Sequence, residues 1–163
     1  MSDDDGASRE EQLRSACMTD QSDLVSELLQ DPKAVDVNRT NALGYTALHY
    51  AAKTGSVDCV RLLVKVRAIK LDVQDSMAKN TPLHMALIDQ GDPKTTLDIV
   101  TLLARAGADP RVANKIGQRP ADLADKDDEE IQEVLQRAVL AIGAKESQSY
   151  GNDGSDSEGY SSG

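Results

Sequence analysis

Thr46-Ala47-Leu48-His49-Tyr50-Ala51 and Thr81-Pro82-Leu83-His84-Met85-Ala86 are the same six-residue phrase written twice, 35 residues apart. A degraded third copy, Arg119-Pro120-Ala121-Asp122-Leu123-Ala124, begins 38 residues further on. A second phrase trails the first: Val60-Arg61-Leu62-Leu63 is answered by Val100-Thr101-Leu102-Leu103, which runs on into Arg105-Ala106-Gly107-Ala108-Asp109-Pro110. Two linked phrases returning in order at such a spacing mark an array of stacked supersecondary units, each too small to bury its own apolar face.

Each unit reads as a pair of helices. Thr46 is placed to cap a helix running through Ala52, Gly55 breaks the chain, and Ser56 opens a second helix. Val57, Val60, Leu63 and Val64 share one face of it, as Leu97, Val100, Leu103 and Ala104 do in the next copy, where Gly107 supplies a left-handed end. Upstream, Leu13, Ala16 and Cys17, then Leu24, Val25, Leu28 and Leu29, outline an atypical first pair with Arg14 in the histidine position. Downstream, Asp122 takes that position. Asp127-Asp128-Glu129-Glu130 then opens a last helix with Ile131, Val134, Leu135 and Ala138 along one face. Carboxylates there meet the positive end of the helix dipole. The worn outer copies suit the polar end units that an open-ended stack requires.

Thr-Pro-Leu-His-x-Ala followed by Leu-Leu-x-x-Gly-Ala-Asp makes this chain resemble an ankyrin-repeat protein over residues 9–141, with about four repeats at 9–40, 41–75, 76–113 and 114–141. The resemblance implies an all-α solenoid of stacked helix-turn-helix units joined by β-hairpin-like loops. It makes His49 and His84 structural hydrogen-bonding residues that tie neighbouring repeats together. It also implies that a protein partner is met by the hairpin tips and the inner faces of the first helices. Carried over position by position, those residues are Ala42, Leu43, Tyr45, Lys53 and Thr54, then Met77, Ala78, Asn80, Ile88 and Asp89, then Lys115, Ile116, Gln118 and Lys126. Leu43, Met77, Ile88 and Ile116 are the most informative, because an exposed tip has no structural need for large apolar groups. The competing reading folds some of them inward to pack between hairpins.

Three departures from the repeat pattern carry expectations of their own. Lys79 stands where Gly44 and Gly117 hold the hairpin turn, so the turn there must avoid a positive φ or carry strain. Gln90-Gly91-Asp92-Pro93-Lys94-Thr95-Thr96 reads as an extended loop between two helices. About three extra residues follow Leu63, around Lys65-Val66-Arg67-Ala68-Ile69-Lys70. Either insertion is a binding element or a tolerated lengthening of the surface.

Composition sets the remaining bounds. Among 163 residues there is no Phe or Trp, so Ala, Leu, Val and Ile must form the core, which suits thin layers of helices. No apolar run is long enough to span a membrane, and the acidic start lacks the marks of a secretory or mitochondrial leader. A cytoplasmic or nuclear chain is expected, with Cys17 and Cys59 as free buried thiols. The net charge of -10 disfavours nucleic acid and anionic membranes as partners and favours a basic one. Residues 1–8 and 142–163 each carry -3 and read as disordered acidic flanks. Ser155-Asp156-Ser157-Glu158 and Ser2-Asp3-Asp4-Asp5 each resemble an acidophilic kinase site.

No metal-ligand spacing, phosphate-cradling glycine loop or nucleophile-base pattern occurs, so no catalytic residue, metal or cofactor is expected. The acidic block Asp125 to Glu133 reads as a solvated capping face or as a recruiter of a basic partner. The expected function is a monomeric, non-enzymatic interaction adaptor for a protein partner. The alternative is a dedicated escort for a basic client such as a ribosomal protein.

Overall fold

Helices as short as these are marginal in water and persist only when an apolar face is packed. The structure, a computed structural model, describes residues 7–88 and 91–161, from 149 onward by backbone alone. The acidic start at 1–6, with its kinase-site pattern, lies outside the described residues, as do Asp89 and Gln90. The described helices are α1 (Arg9–Met18), α2 (Ser22–Leu28), α3 (Ala47–Thr54), α4 (Val57–Val64), α5 (Pro82–Ile88), α6 (Pro93–Ala106), α7 (Pro120–Leu123) and α8 (Glu129–Ser161). They form four pairs. The first members stack as α1, α3, α5, α7 and the second as α2, α4, α6, α8, giving two layers.

One apolar seam runs between the layers. Leu13, Leu48 and Leu83 on the first helices meet Val25, Leu63, Leu103 and Leu135 on the second, all of them buried in a single continuous cluster. No strand occurs among the described residues, and the chain is all-helical there, as expected. The connecting fingers close as hairpin-like loops on backbone hydrogen bonds. Asn41 N–H donates to the Tyr45 carbonyl at 3.1 Å, Asp75 N–H to Asn80 at 3.0 Å, and Asn114 N–H to Gln118 at 2.8 Å.

The helix starts follow local chemistry. Ser8 and Glu11 cap each other's backbone ahead of α1, and Thr46 Oγ1 accepts from His49 N–H at the head of α3. Ser56 does precede α4, but its hydroxyl is used elsewhere: it donates to the Cys17 carbonyl at 2.9 Å, beside Thr54 at 3.0 Å. These two hydroxyls stitch the first repeat to the second. Cys17 and Cys59 are free and buried, as the sequence predicts. They are not isolated from one another: the two thiols lie close enough to interact. Hydrogen bonding to the Cys59 thiol and burial push the Cys17 thiol above its usual range.

The sequence misplaced one element. Residues 93–96 are helix, not loop: α6 starts at Pro93 and is 14 residues long. Proline is well suited to the first helical position, where its missing N–H costs nothing, and the Asp92 carboxylate accepts from Thr95 N–H at 3.0 Å as the cap. The insertion therefore lengthens a helix.

Lys79 adopts the strained alternative, with φ 59°, while Gly44 and Gly117 sit at 84° and 83°. A left-handed non-glycine residue costs about 1–2 kcal/mol, part of which glycine's larger unfolded-state entropy offsets. Lys79→Gly is therefore expected to stabilise the chain by about 0.5–1 kcal/mol, read as a higher urea midpoint. A midpoint that falls would contradict this account of the turn.

At the far end, α8 continues past residue 141, where the sequence places the end of the folded part. Part of the reason is visible: Arg111 reaches across to Glu146 at 3.0 Å while holding Asp109 at 2.9 Å, fastening the first turns beyond 141 to the third repeat.

Candidate functional site

The fingers are built from short polar residues that satisfy their own turns. Asn41 Oδ1 accepts from Leu43 N–H and Tyr45 N–H, both at 3.0 Å. Asn114 Oδ1 does the same for Ile116 and Gln118, at 3.2 and 2.9 Å. In the middle finger Asp75 takes this role, accepting from Met77, Ala78 and Asn80 at 2.8, 2.7 and 3.0 Å. Burial pushes the Asp75 carboxyl up, but the three N–H donors outweigh it and hold the group below its ordinary range. These three residues were missed in the sequence. Their signal is a residue with an amide or carboxylate side chain at each finger base, five or six positions ahead of the Thr or Arg that opens the repeated phrase.

The fingers are also joined to one another. Ser76 N–H donates to the Leu43 carbonyl at 3.0 Å, and Lys115 N–H to the Ala78 carbonyl at 2.8 Å. The histidines brace them from below. Thr46 N–H donates to His49 Nδ1 at 3.1 Å, which leaves that nitrogen unprotonated and puts the proton on Nε2, 3.0 Å from the Asn80 carbonyl of the next finger. His84 repeats this with Thr81 at 3.1 Å and the Gln118 carbonyl at 2.8 Å. Each imidazole thus ties its own helix start to the following repeat.

The end units show why the motif wears out. Asp122 accepts from Arg119 N–H at 2.8 Å, the local half of the job, with no further finger to reach. Arg14 Nη1 instead donates to the carbonyl of Arg39 in the approach to the second finger, at 3.2 Å.

Burial pushes both histidines below 6.5, against the pull of their carbonyl partners. From 6.5 downward the unfolded chain then binds protons that the folded chain refuses. Stability falls with falling pH through that window, by up to about 1.4 kcal/mol per pH unit for each histidine, until the folded pKa is reached. Asp75 adds a separate loss below its ordinary 3.8, since its folded pKa is also depressed. Urea midpoints measured from pH 7.5 to 5 should decline. A rise on acidification would contradict the neutral assignment.

On this scaffold the expected contact residues divide. Leu43, Met77 and Ile116 project from three successive fingers, 45%, 64% and 77% exposed. Ile88 is exposed as well, but at the end of α5 and not on a tip. Lys115 is exposed next to Ile116 on the third finger, whereas Lys53 is exposed near the end of α3, the position Ile88 holds in the next repeat, and Tyr45 and Gln118 are half-buried. Tyr45 lies edge-on to His49 and to Tyr50, each at 5.5 Å between centroids, so much of its ring is structural. Asn80 is a correction: it is buried, its carbonyl holds His49, and its Oδ1 accepts from Asn114 Nδ2 at 3.0 Å. Its side chain is spent inside the scaffold and does not face a partner. Asp89 cannot be placed among the described residues.

Comparison with known proteins agrees with this geometry. Residues 13–120 match the family model for ankyrin repeats in three copies. The chain is 35% identical to the ankyrin repeat-containing protein YGL242C of Saccharomyces cerevisiae over 148 residues, 85% of this chain and 82% of the yeast protein. It is 42% identical over 98 residues to human protein phosphatase 1 regulatory subunit 27 and 38% over 104 residues to the mouse protein of that name. Those matches take in 60% and 63% of this chain and span 58% and 62% of the mammalian proteins.

Proposed function

This chain belongs to the ankyrin-repeat family, and from that premise we propose that it is a non-enzymatic adaptor that binds a protein partner through its finger tips. The observation that carries the reading is the set of three large apolar side chains, Leu43, Met77 and Ile116, held in solvent on consecutive fingers. The fingers are fixed by the Ser76–Leu43 and Lys115–Ala78 backbone bonds, so the side chains are presented without a large ordering cost on binding. Lys115, exposed on the third finger, supplies a charged rim. An apolar centre with a charged rim is the usual makeup of a contact patch.

Two relatives are named as regulatory subunits of protein phosphatase 1, which makes that enzyme the first bait to immobilise. The triple variant Leu43→Ser, Met77→Ser, Ile116→Ser is expected to weaken capture at least tenfold with an unchanged urea midpoint, because these side chains leave the core untouched. Unaltered capture of a bait that the parent chain holds would remove the tips from the function. A second reading, escort of a basic client such as a ribosomal protein, draws on the exposed acids Asp125, Asp127 and Glu130 and the net charge of -10. Binding that collapses between 20 and 150 mM salt, yet survives the triple variant, would favour the escort.

A further inference from the structure

The extra residues after Leu63 build a second surface on the opposite layer from the first helices. In the third repeat Gly107, with φ 112°, ends α6 and turns the chain away at once. No glycine follows α4. Its cap, Lys65, stays right-handed, and the chain runs on through two successive turns closed by Val66 N–H to the Leu63 carbonyl at 3.0 Å and Ile69 N–H to Val66 at 3.1 Å. Asn38 of the preceding repeat clamps the result from both sides. It donates from Nδ2 to the Ala68 carbonyl at 2.8 Å and accepts from Lys70 N–H at 2.8 Å. The loop is thereby a fixed wall. Between it and the end of α2 lies an open groove of about 670 Å³ with Leu29, Pro32, Val35, Leu62, Val66 and Ala68 on its sides.

The charge of this wall runs against that of the chain. From Cys59 to Leu71 there are four cations, Arg61, Lys65, Arg67 and Lys70, and no acid. Arg61 is paired with Asp58, whereas Lys65, Arg67 and Lys70 make no ion pair among the described residues. Lys65 and Arg67 stand directly on the groove. The one carboxylate lining it, Asp36, is turned to the Asn38 N–H at 3.0 Å, closing a local turn. Two uncompensated cations on an apolar slot, with Lys70 further along the same loop, in a molecule of net charge -10, select for a ligand with carboxylates flanking aliphatic side chains. A duplex nucleic acid would meet the same cations but also the repulsion of the whole chain, and it has no aliphatic groups to place in the slot.

We propose that the groove between α2 and the Lys65–Lys70 loop docks a short acidic peptide segment of a partner protein, its aliphatic side chains in the slot and its carboxylates on Lys65 and Arg67. This site is separate from the finger tips and stands or falls independently of them.

The test is a selection of displayed twelve-residue random peptides on the full chain, followed by titration of the enriched peptides. Supporting results are enrichment of Asp or Glu beside Leu or Ile, and backbone amide shifts that centre on Leu62, Val66 and Ala68. Affinity should fall at least tenfold for Lys65→Glu/Arg67→Glu, and equally for Ser26→Trp, which plugs the slot from an exposed position, while the Leu43, Met77, Ile116 triple variant binds undiminished. The proposal is overturned if no enriched peptide moves these amides, if Lys65→Glu/Arg67→Glu binds them as well as the parent, or if a 20-base-pair duplex displaces them.

Discussion

Replacing His49 by alanine is expected to lower the unfolding free energy by about 4 kcal/mol, a large part of the 5–15 kcal/mol typical of such domains. The ring is fully buried and spans two repeats. Its removal strips the Thr46 N–H of its acceptor at 3.1 Å and the Asn80 carbonyl of its donor at 3.0 Å, with both groups buried. Each orphaned group costs about 1–3 kcal/mol, and the vacated ring volume adds a cavity term. His84→Ala makes a sharper comparison. It orphans the buried Thr81 N–H in the same way, but its second partner, the Gln118 carbonyl, belongs to a half-buried residue that water can approach. That substitution should cost about 1–2 kcal/mol less. Urea unfolding of the two variants decides the matter: a His49→Ala cost below about 1 kcal/mol, or one smaller than that of His84→Ala, is incompatible with the bracing role.

That role could be inferred from the sequence only through the resemblance, since a lone histidine shows no partner. The repeated phrase made the helix pairs, their order and the all-helical class legible, because each rests on local signals: Thr46 as a cap, Gly107 as a stop, and the apolar spacing from Val57 to Val64. The same locality let the positive φ of Lys79 be framed as an alternative from its alignment with two glycines. What stayed hidden depends on distant contacts. In the sequence Pro93 marks a loop as readily as a helix start behind an acid, and only the packing of α6 on α4 settles between them. The position of Asn80 next to a tip suggests a contact residue, while its burial comes from His49 and Asn114, each more than thirty residues away. The nearness of Cys17 to Cys59 and the hold of Arg111 on Glu146 have the same origin. The groove beside Lys65 was foreseen as an insertion but not as a cavity, because its other wall belongs to the preceding repeat.

The scaffold of the fingers leads to the second large effect, at Gly44. Its φ of 84° lies in the left-handed region, and its α-carbon faces the next finger. A β-carbon built there meets Ser76 N and Ser76 Oγ at 2.6 Å each, and Asp75 Cα at 3.1 Å. The serine hydroxyl can swing away, but the amide cannot, since its N–H donates to the Leu43 carbonyl at 3.0 Å and Asp75 is buried beneath three backbone bonds. Gly44→Ala must therefore carry left-handed strain of about 1–2 kcal/mol and in addition push two fingers apart, for a total of about 3 kcal/mol. Gly117 is the control. It has nearly the same φ, 83°, yet nothing lies within 4 Å of an added β-carbon, so Gly117→Ala should cost only the strain. The difference between the two variants isolates contact between fingers from the torsional preference of glycine. It reaches function as well, because the displaced segment carries Leu43 on one side and Met77 on the other. Gly44→Ala should weaken a tip-bound partner at temperatures where the chain remains folded, whereas Gly117→Ala disturbs Ile116 alone. Equal destabilisation at the two glycines would mean that the fingers are not in register through Ser76, and the rigid presentation of the tips would lose its physical basis.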